Sequence, residues 1–373
     1  MTKCIAFTGG GTGGHVIPGI AVMEALREKY SGELYWIGSR KGIERDILRR
    51  SAPYCHYRSV PTGKLRRYIS LQNFVDLFRV AAGVIWSFVI LLRLRPDVLF
   101  SKGGFVSVPP VFAAWLLRIP VITHESDVDP GLATRINSRF AARICVPYEV
   151  TRDLLPDSLQ IRVVVTGNPV RRDLQHADAA GLKRKLGFAD DKPLVFVFGG
   201  SLGSERINRL VDDVLDALLE HVNIVHQRGA QSLTWRQSPG YVADHFFYED
   251  YPAILGAADL AVCRAGAGTL WELAATRTPG ICIPLSLGAS RGDQIRNADV
   301  FERMGTVLVM QEDGLEADVF LDAVCEIVHD AGRRRSMAAA CERVQADTAV
   351  HTITDLILTI RGTEASSIEE GNS

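Results

Sequence analysis

Two stretches narrow what this chain can fold into. One begins at Cys4 and reads CIAFTGGGTGGHVIPG; the other begins at Leu194 and reads LVFVFGGSLGSERIN. Each is a run of β-branched and aromatic apolar residues, then a glycine cluster, then a stretch with helical character. This is the strand–loop–helix unit that opens a parallel α/β layer. Further short apolar runs surround both. Glu33–Ile37, Val98–Phe100, Val121–Thr123 and Arg143–Val146 follow the first; Val222–His226, Leu260–Cys263 and Ile281–Ile283 follow the second. They are mostly continuous rather than alternating in polarity, so the strands they predict are buried on both faces of a parallel sheet.

At 373 residues the chain exceeds the usual single hydrophobic core. The pattern restarts after VVVTGNPVRRDL, which divides it into a first domain over 1–166 and a second over 167–345. Residues 346–361 predict a helix that could pack back on the first domain, and the small, polar, acidic stretch 362–373 predicts a disordered tail. A net charge of −1 argues against bulk nucleic-acid binding. The seven cysteines are scattered and never spaced CxxC, so neither a disulfide framework nor a zinc site is expected. A glycine loop stands where a signal peptide would carry its apolar core, which points to the cytoplasm.

Glycines between a strand and a helix let the backbone approach a phosphate, and the helix N-terminus adds free N–H groups and partial positive charge. Gly9, Gly11 and Gly14 satisfy GxGxxG, but the dinucleotide reading also needs an acidic residue at the end of the second strand. That strand ends WIGSRKG, with Ser39, Arg40 and Lys41. NAD is therefore disfavoured, and an NADP site built on Arg40 is the weaker version of the same idea. Neither loop ends in the Gly-Lys-Ser/Thr of a Walker P-loop.

The motifs TGGGTGGHVIPG, SKGGFVSVPP, HESD, GNPVRRDL, GGSLGS, CRAGAGTLWELAA and GDQIRNA stand in the order and spacing of the MurG family. The chain resembles that family from about Lys3 to about Ala346. The resemblance implies the GT-B glycosyltransferase fold, with two Rossmann-like domains facing a cleft. It implies transfer of GlcNAc from UDP-GlcNAc to lipid I, the undecaprenyl-diphosphate-linked muramyl peptide, giving lipid II for peptidoglycan synthesis. The first domain would receive the acceptor and the second the donor. No cofactor is implied, and with no DxD-like site in the sequence no metal is expected.

Carried onto this sequence, the family pattern places Thr12, Gly13 and Gly14 near the donor sugar and the acceptor diphosphate. It sets Ser201 at the donor diphosphate, with Ala267, Gly268, Thr269, Leu270 and Trp271 approaching the nucleotide. Glu272 would bind the ribose hydroxyls, though read alone it fits a capping box with Thr269 equally well. Tyr248 would lie at the uracil edge, Gln294 at the GlcNAc hydroxyls, and Arg171 near the donor. Asp127 replaces the usual asparagine, Phe105 a common tyrosine, and Trp271 is bulkier than usual there.

An inverting transfer needs one general base and stabilisation of the leaving diphosphate. His15 sits at a helix N-terminus, whose positive end disfavours imidazolium and keeps the ring able to accept a proton. Glu125, at a strand's C-terminal end, is the rival base or an acceptor ligand.

Val80–Leu92 is strongly apolar but too short to span a bilayer, which takes about 20 residues. One reading is a buried crossover helix. The other joins Leu65, Ile69, Phe74 and Trp86 to Lys64, Arg66, Arg67 and Arg79 as an interfacial patch. The second places the chain peripherally at an anionic membrane, on the cytoplasmic face of the bacterial inner membrane, with cell-wall synthesis machinery as further candidate partners. The competing functions are another GT-B lipid glycosyltransferase and a UDP-GlcNAc 2-epimerase.

Overall fold

The computed structural model describes residues 3–63, 71–174, 181–188, 192–200, 203–232, 234–288, 290 and 292–370, with the backbone alone for 71–77 and 362–370. The chain forms two compact units. One comprises Met1–Pro169 and Asp347–Ser373, the other Val170–Ala346.

The first unit holds seven parallel strands: β1 (Cys4–Thr8), β2 (Glu33–Ser39), β3 (His56–Val60), β4 (Val98–Ser101), β5 (Val121–His124), β6 (Arg143–Val146) and β7 (Val163–Val165). Their order is β3-β2-β1-β4-β5-β6-β7. The second unit holds β8 (Leu194–Phe198), β9 (Asn223–Gln227), β10 (Tyr241–Asp244), β11 (Leu260–Cys263), β12 (Gly280–Cys282) and β13 (Val307–Val309). These run β10-β9-β8-β11-β12-β13, again all parallel. Both sheets are doubly wound, and in each the strand order reverses between two central strands, β1 and β4 or β8 and β11. Ligands of such sheets bind beyond the carboxyl ends of those strands. Both glycine loops lie there, one after β1 and one after β8.

Inner strands are buried along their whole length because helices cover both faces. Phe7 of β1 stacks on Trp36 of β2, with centroids 6.2 Å apart. The Trp36 indole donates to the Gly9 carbonyl at 3.1 Å, which ties the second strand to the first loop.

Sequence places Gly167 and Asn168 in the second domain, but they belong with the first unit. His124 Nε2 contacts the Gly167 carbonyl at 3.0 Å, and Ser126 Oγ donates to Asn168 Oδ1 at 3.3 Å. The C-terminal helix Thr348–Glu370 lies on the first unit, putting Ile353 and Ile357 into its core beside Leu26 and Trp36. Arg361 Nε donates to Asp97 at 2.8 Å, and its guanidinium lies 4.9 Å from the Tyr30 ring centre. The helix continues to Glu370, past the point where composition places a disordered tail; Ala365 and the three glutamates of this stretch are compatible with helix.

Val80–Leu92 lies within the helix Leu71–Leu94. Gly83, Ser87 and Leu91 recur every fourth residue and are buried. A methyl group on Gly83 would meet the Pro61 carbonyl at 2.5 Å, so the helix needs a glycine there to seat this closely. The opposite stripe is apolar and exposed: Phe78, Ile85 (66%), Trp86 (51%), Val89 and Leu92. The buried stripe fits the crossover-helix reading, and the exposed stripe is the side to which the interfacial reading refers. Lys64, Leu65, Arg66, Arg67 and Ile69 lie outside the described residues, as does the Phe74 side chain.

Candidate active site

In the first unit the loop after β1 turns through Thr12, the N-cap of the helix Gly13–Lys29, with no side-chain cap bond. Thr12 and Gly14 are exposed, Gly13 is buried and His15 half-buried. Glu44, fully buried, braces this loop from behind. Its carboxylate accepts from Ser39 N at 2.7 Å and Ser39 Oγ at 2.5 Å, and from Gly11 N at 3.5 Å. Arg40, which an NADP site would need, has its guanidinium 5.9 Å from the Trp86 ring centre.

The chain after β4 supplies the floor. Gly103 and Gly104 have φ of 85° and 75°, a backbone region that suits glycine. A methyl on Gly104 would lie 2.9 Å from His15 Cδ2 and 2.4 Å from the Gly10 carbonyl. Burial pushes the His15 imidazole down to about 4, the Lys102 ammonium adds to the shift, and Glu125 pulls weakly the other way. The ring is therefore neutral over the physiological range.

Glu125 follows β5 and is 4% exposed. Oε1 accepts from Ser126 N at 2.7 Å and Asp127 N at 3.2 Å, and Oε2 accepts from Gly131 N at 2.9 Å. Its oxygens are committed to folding their own loop. Phe105 opens a single 3₁₀ turn, and a methyl on Gly11 would meet its ring at 2.8 Å, so the aromatic face packs on the first loop. Lys102, unremarked in the sequence, is the group that joins His15, Glu125 and Asp127.

In the second unit the loop after β8 leads to Ser204, whose Oγ caps the helix Glu205–Asp213 by accepting from Ile207 N at 3.3 Å. Ser201 lies outside the described residues. The loop rests on a buried network. Arg228 forms a two-pronged pair with Asp212, at 2.7 Å on each prong, and donates to the Tyr241 hydroxyl at 3.0 Å. A methyl on Gly203 would lie 2.4 Å from the Arg228 carbonyl.

After β11 the helix Ala267–Thr276 starts with Gly266 as N-cap, and no side chain caps it. Thr269 is inside the helix rather than at its cap, so Glu272 has no capping box to complete. Its Oε2 instead accepts from the Tyr251 hydroxyl at 2.8 Å. Burial raises the Glu272 carboxyl, against the opposing pull of Arg171 and the Tyr251 bond. Arg171 stacks over Tyr251 at 5.6 Å and lies 3.4 Å from Asp173. Arg171, Tyr251 and Glu272 form one group, and Tyr251 had no sequence signal.

Leu270 and Trp271 are buried at 0% and 3%, with the Trp271 ring edge-on to Phe301, so only their backbone faces the helix start. Ala267 is buried, while Gly268 has nothing within 4 Å of a would-be methyl. Gln294 Oε1 accepts from Leu285 N at 3.0 Å. The same segment is held by Glu312, which accepts from Ser286 N at 3.1 Å and pairs with buried Arg264. Tyr248 is 67% exposed and tilts against Phe246.

Residues 5–146 match the glycosyltransferase family 28 N-terminal domain, and residues 194–353 match its C-terminal domain. A Treponema denticola protein named UDP-N-acetylglucosamine–N-acetylmuramyl-(pentapeptide) pyrophosphoryl-undecaprenol N-acetylglucosamine transferase is 42% identical, over 95% of this chain and 97% of its own length. A Clostridium botulinum protein of the same name is 40% identical over 95% of this chain and 98% of its own. Among solved structures, Acinetobacter baumannii MurG shares the fold with a TM-score of 0.72 at 24% identity, covering 96% of this chain and 99% of that one. A Neisseria meningitidis UDP-GlcNAc 2-epimerase shares it with a TM-score of 0.67 at 13% identity, covering 96% of this chain and all of that one. The two sheets, the two matched domains and these full-length relatives make one assignment: the chain belongs to the MurG family of GT-B glycosyltransferases.

Proposed function

We propose that this chain moves GlcNAc from UDP-GlcNAc to the undecaprenyl-diphosphate-linked muramyl peptide, with inversion, giving lipid II. The sugar hydroxyl of the acceptor attacks the anomeric carbon, the bond to the diphosphate breaks, and UDP leaves. His15 takes the hydroxyl proton. The observation that carries this reading is the placement of His15 at the first glycine loop, on a helix N-terminus at the reversal point of its sheet, where burial holds its imidazole below the ordinary value. Glu125 shapes the acceptor side, since its oxygens already serve three backbone donors.

In the second unit, Glu272 accepts from the ribose hydroxyls, with Arg171 and Tyr251 setting its position. The backbone at Ala267–Trp271 and the loop at Ser201 approach the nucleotide and its diphosphate, Gln294 the sugar, and Tyr248 the base. Thr12, Gly13, Gly14 and Asp127 complete the first-unit face. The exposed stripe Ile85, Trp86, Val89 and Leu92 rests on an anionic membrane at the cytoplasmic face, giving access to a polyprenyl acceptor. Among the described residues no helix is long and apolar enough to cross a membrane.

The test is incubation with UDP-GlcNAc and a lipid I analogue. Appearance of the disaccharide product supports the proposal. Formation of UDP-ManNAc without acceptor, or transfer only to a different lipid, would replace it. Ile85→Ser with Trp86→Ser should release the protein from anionic vesicles at unchanged UDP affinity; equal vesicle binding would remove the membrane reading.

A further inference from the structure

Lys102 is a full-length lysine with 1% of its surface exposed, in the segment between β4 and the Gly103–Gly104 floor. Its backbone N–H donates to the Thr8 carbonyl at 2.8 Å, fixing it to the end of β1. A methyl on Gly9 would lie 3.2 Å from Lys102 Cβ and 3.2 Å from the His15 carbonyl, so the aliphatic stem fills the space under the first loop. Its ammonium donates to Ser126 Oγ, which passes a hydrogen bond to Asn168 Oδ1 at 3.3 Å. Burying a lysine costs free energy that packing alone would not require, because a methionine would fill the same space.

We propose that Lys102 is a positioning residue for the transfer reaction, whose side chain lies under the loop that leads to His15 and whose ammonium, through Ser126, fixes the loop that carries Glu125 and Asp127. This rests on the proposed role of His15. The charged and titratable groups that face the pair are Glu125 and Asp127 beyond β5, His124 at the end of β5, and Cys145 on β6. Of the charges acting on the imidazole, the Lys102 ammonium opposes its protonation and Glu125 favours it. Burial pulls Lys102 itself down to about 8, with Glu125, Asp127 and Cys145 opposing, so it carries its charge at neutral pH. The departure at position 127 then has a local counterpart, since the extra carboxylate there lies in reach of a buried cation.

The sign follows directly. Loss of the ammonium leaves Glu125 as the charge acting on His15, and it favours imidazolium. In Lys102→Met the His15 ring should therefore titrate at higher pH, by about one unit or more. The shift is read by NMR of the His15 ring in the full chain without any substrate, so it stands or falls apart from the catalytic role of His15. In wild type the same signal should show a second, smaller inflection near pH 8 as Lys102 loses its proton.

In the transferase assay, the acidic limb of kcat against pH should move up by the same amount in Lys102→Met. An unchanged His15 titration in a folded Lys102→Met protein overturns the proposal, as does a wild-type His15 signal that is flat through pH 8. A shifted titration with an unshifted kinetic limb keeps the electrostatic coupling and removes His15 as the base.

Discussion

Behind the first glycine loop a methyl group has nowhere to go: on Gly10 it would meet the Glu44 carboxyl at 2.8 Å, on Gly11 the Phe105 ring at 2.8 Å, and on Gly104 the His15 ring at 2.9 Å, while Gly13 and Gly14 have nothing closer than 3.8 Å. In the second unit, a methyl on Gly199 would meet Ser204 N at 2.2 Å and one on Gly203 the Arg228 carbonyl at 2.4 Å, while Gly200 and Gly268 have nothing within 4 Å. The topology is the same in both, a loop at the reversal point of a doubly wound sheet, yet the first is backed by side chains and the second by backbone. The ionisable groups behind the two loops differ too, although burial also raises the Glu272 carboxyl in the second unit. His15 and Lys102 are pushed toward their neutral forms by burial, whereas Arg228 and Glu312 are held charged by their partners Asp212 and Arg264. A loop backed by buried ionisable side chains tunes a proton; one backed by backbone and paired charges receives a ligand.

The largest effect that could break this division is at His15. His15→Ala should lower turnover by about 10²–10⁴-fold, the usual cost of a lost general base, while UDP affinity measured by calorimetry stays near wild type. If activity survives and Glu125→Ala abolishes it at unchanged acceptor affinity, proton chemistry belongs to Glu125. The converse test is Glu272→Ala. UDP binding should weaken by about 1.5–3 kcal/mol through loss of a charged acceptor, with little change in turnover at saturating donor. Unchanged UDP affinity with a lower melting temperature would make Glu272 only a partner for Tyr251.

A smaller effect is expected behind the second-unit site. Glu312→Gln should cost about 1–2 kcal/mol of stability by weakening the pairing with Arg264. Burial pushes the Glu312 carboxyl up, but Arg264 and the Ser286 N–H outweigh it, so the folded value lies below the ordinary one. Its contribution is then complete above the unfolded value of about 4.3 and is lost as pH falls through the folded value. The melting-temperature gap between wild type and Glu312→Gln should close at acid pH. The smallest effect is Gly268→Ala. Stability should hold or rise by up to about 1 kcal/mol, as helix propensity predicts, while UDP-GlcNAc affinity falls because the methyl projects into the open space. Unchanged affinity would show that the nucleotide does not come this close.

How legible the fold was depends on where each strand lies in its sheet. The nine strands read from sequence are inner strands, buried throughout or nearly so. The four missed strands, β3, β7, β10 and β13, are the two edges of each sheet. HYRSV and YVAD are partly exposed and mix polar with apolar residues, so they carry no continuous apolar run. The site was legible in a similar way. Glycines, His15 and Glu272 announce themselves through motif spacing. Lys102, Tyr251 and Glu312 do not, because each acts through a partner distant in sequence: Ser126, Glu272 and Arg264.

The helix Thr348–Glu370 has a consequence for how the molecule is made. It supplies Ile353 and Ile357 to a core whose other buried residues run from Ile5 to Cys145. During synthesis, the whole of Val170–Ala346 emerges from the ribosome before that core can close. The unit made first is thus the last to be finished, and its nascent sheet must wait, one face short of a helix, while the later unit has all its own residues in hand. A chain stopped after Pro169 would carry every first-unit residue proposed for the site and still lack the piece that closes its core.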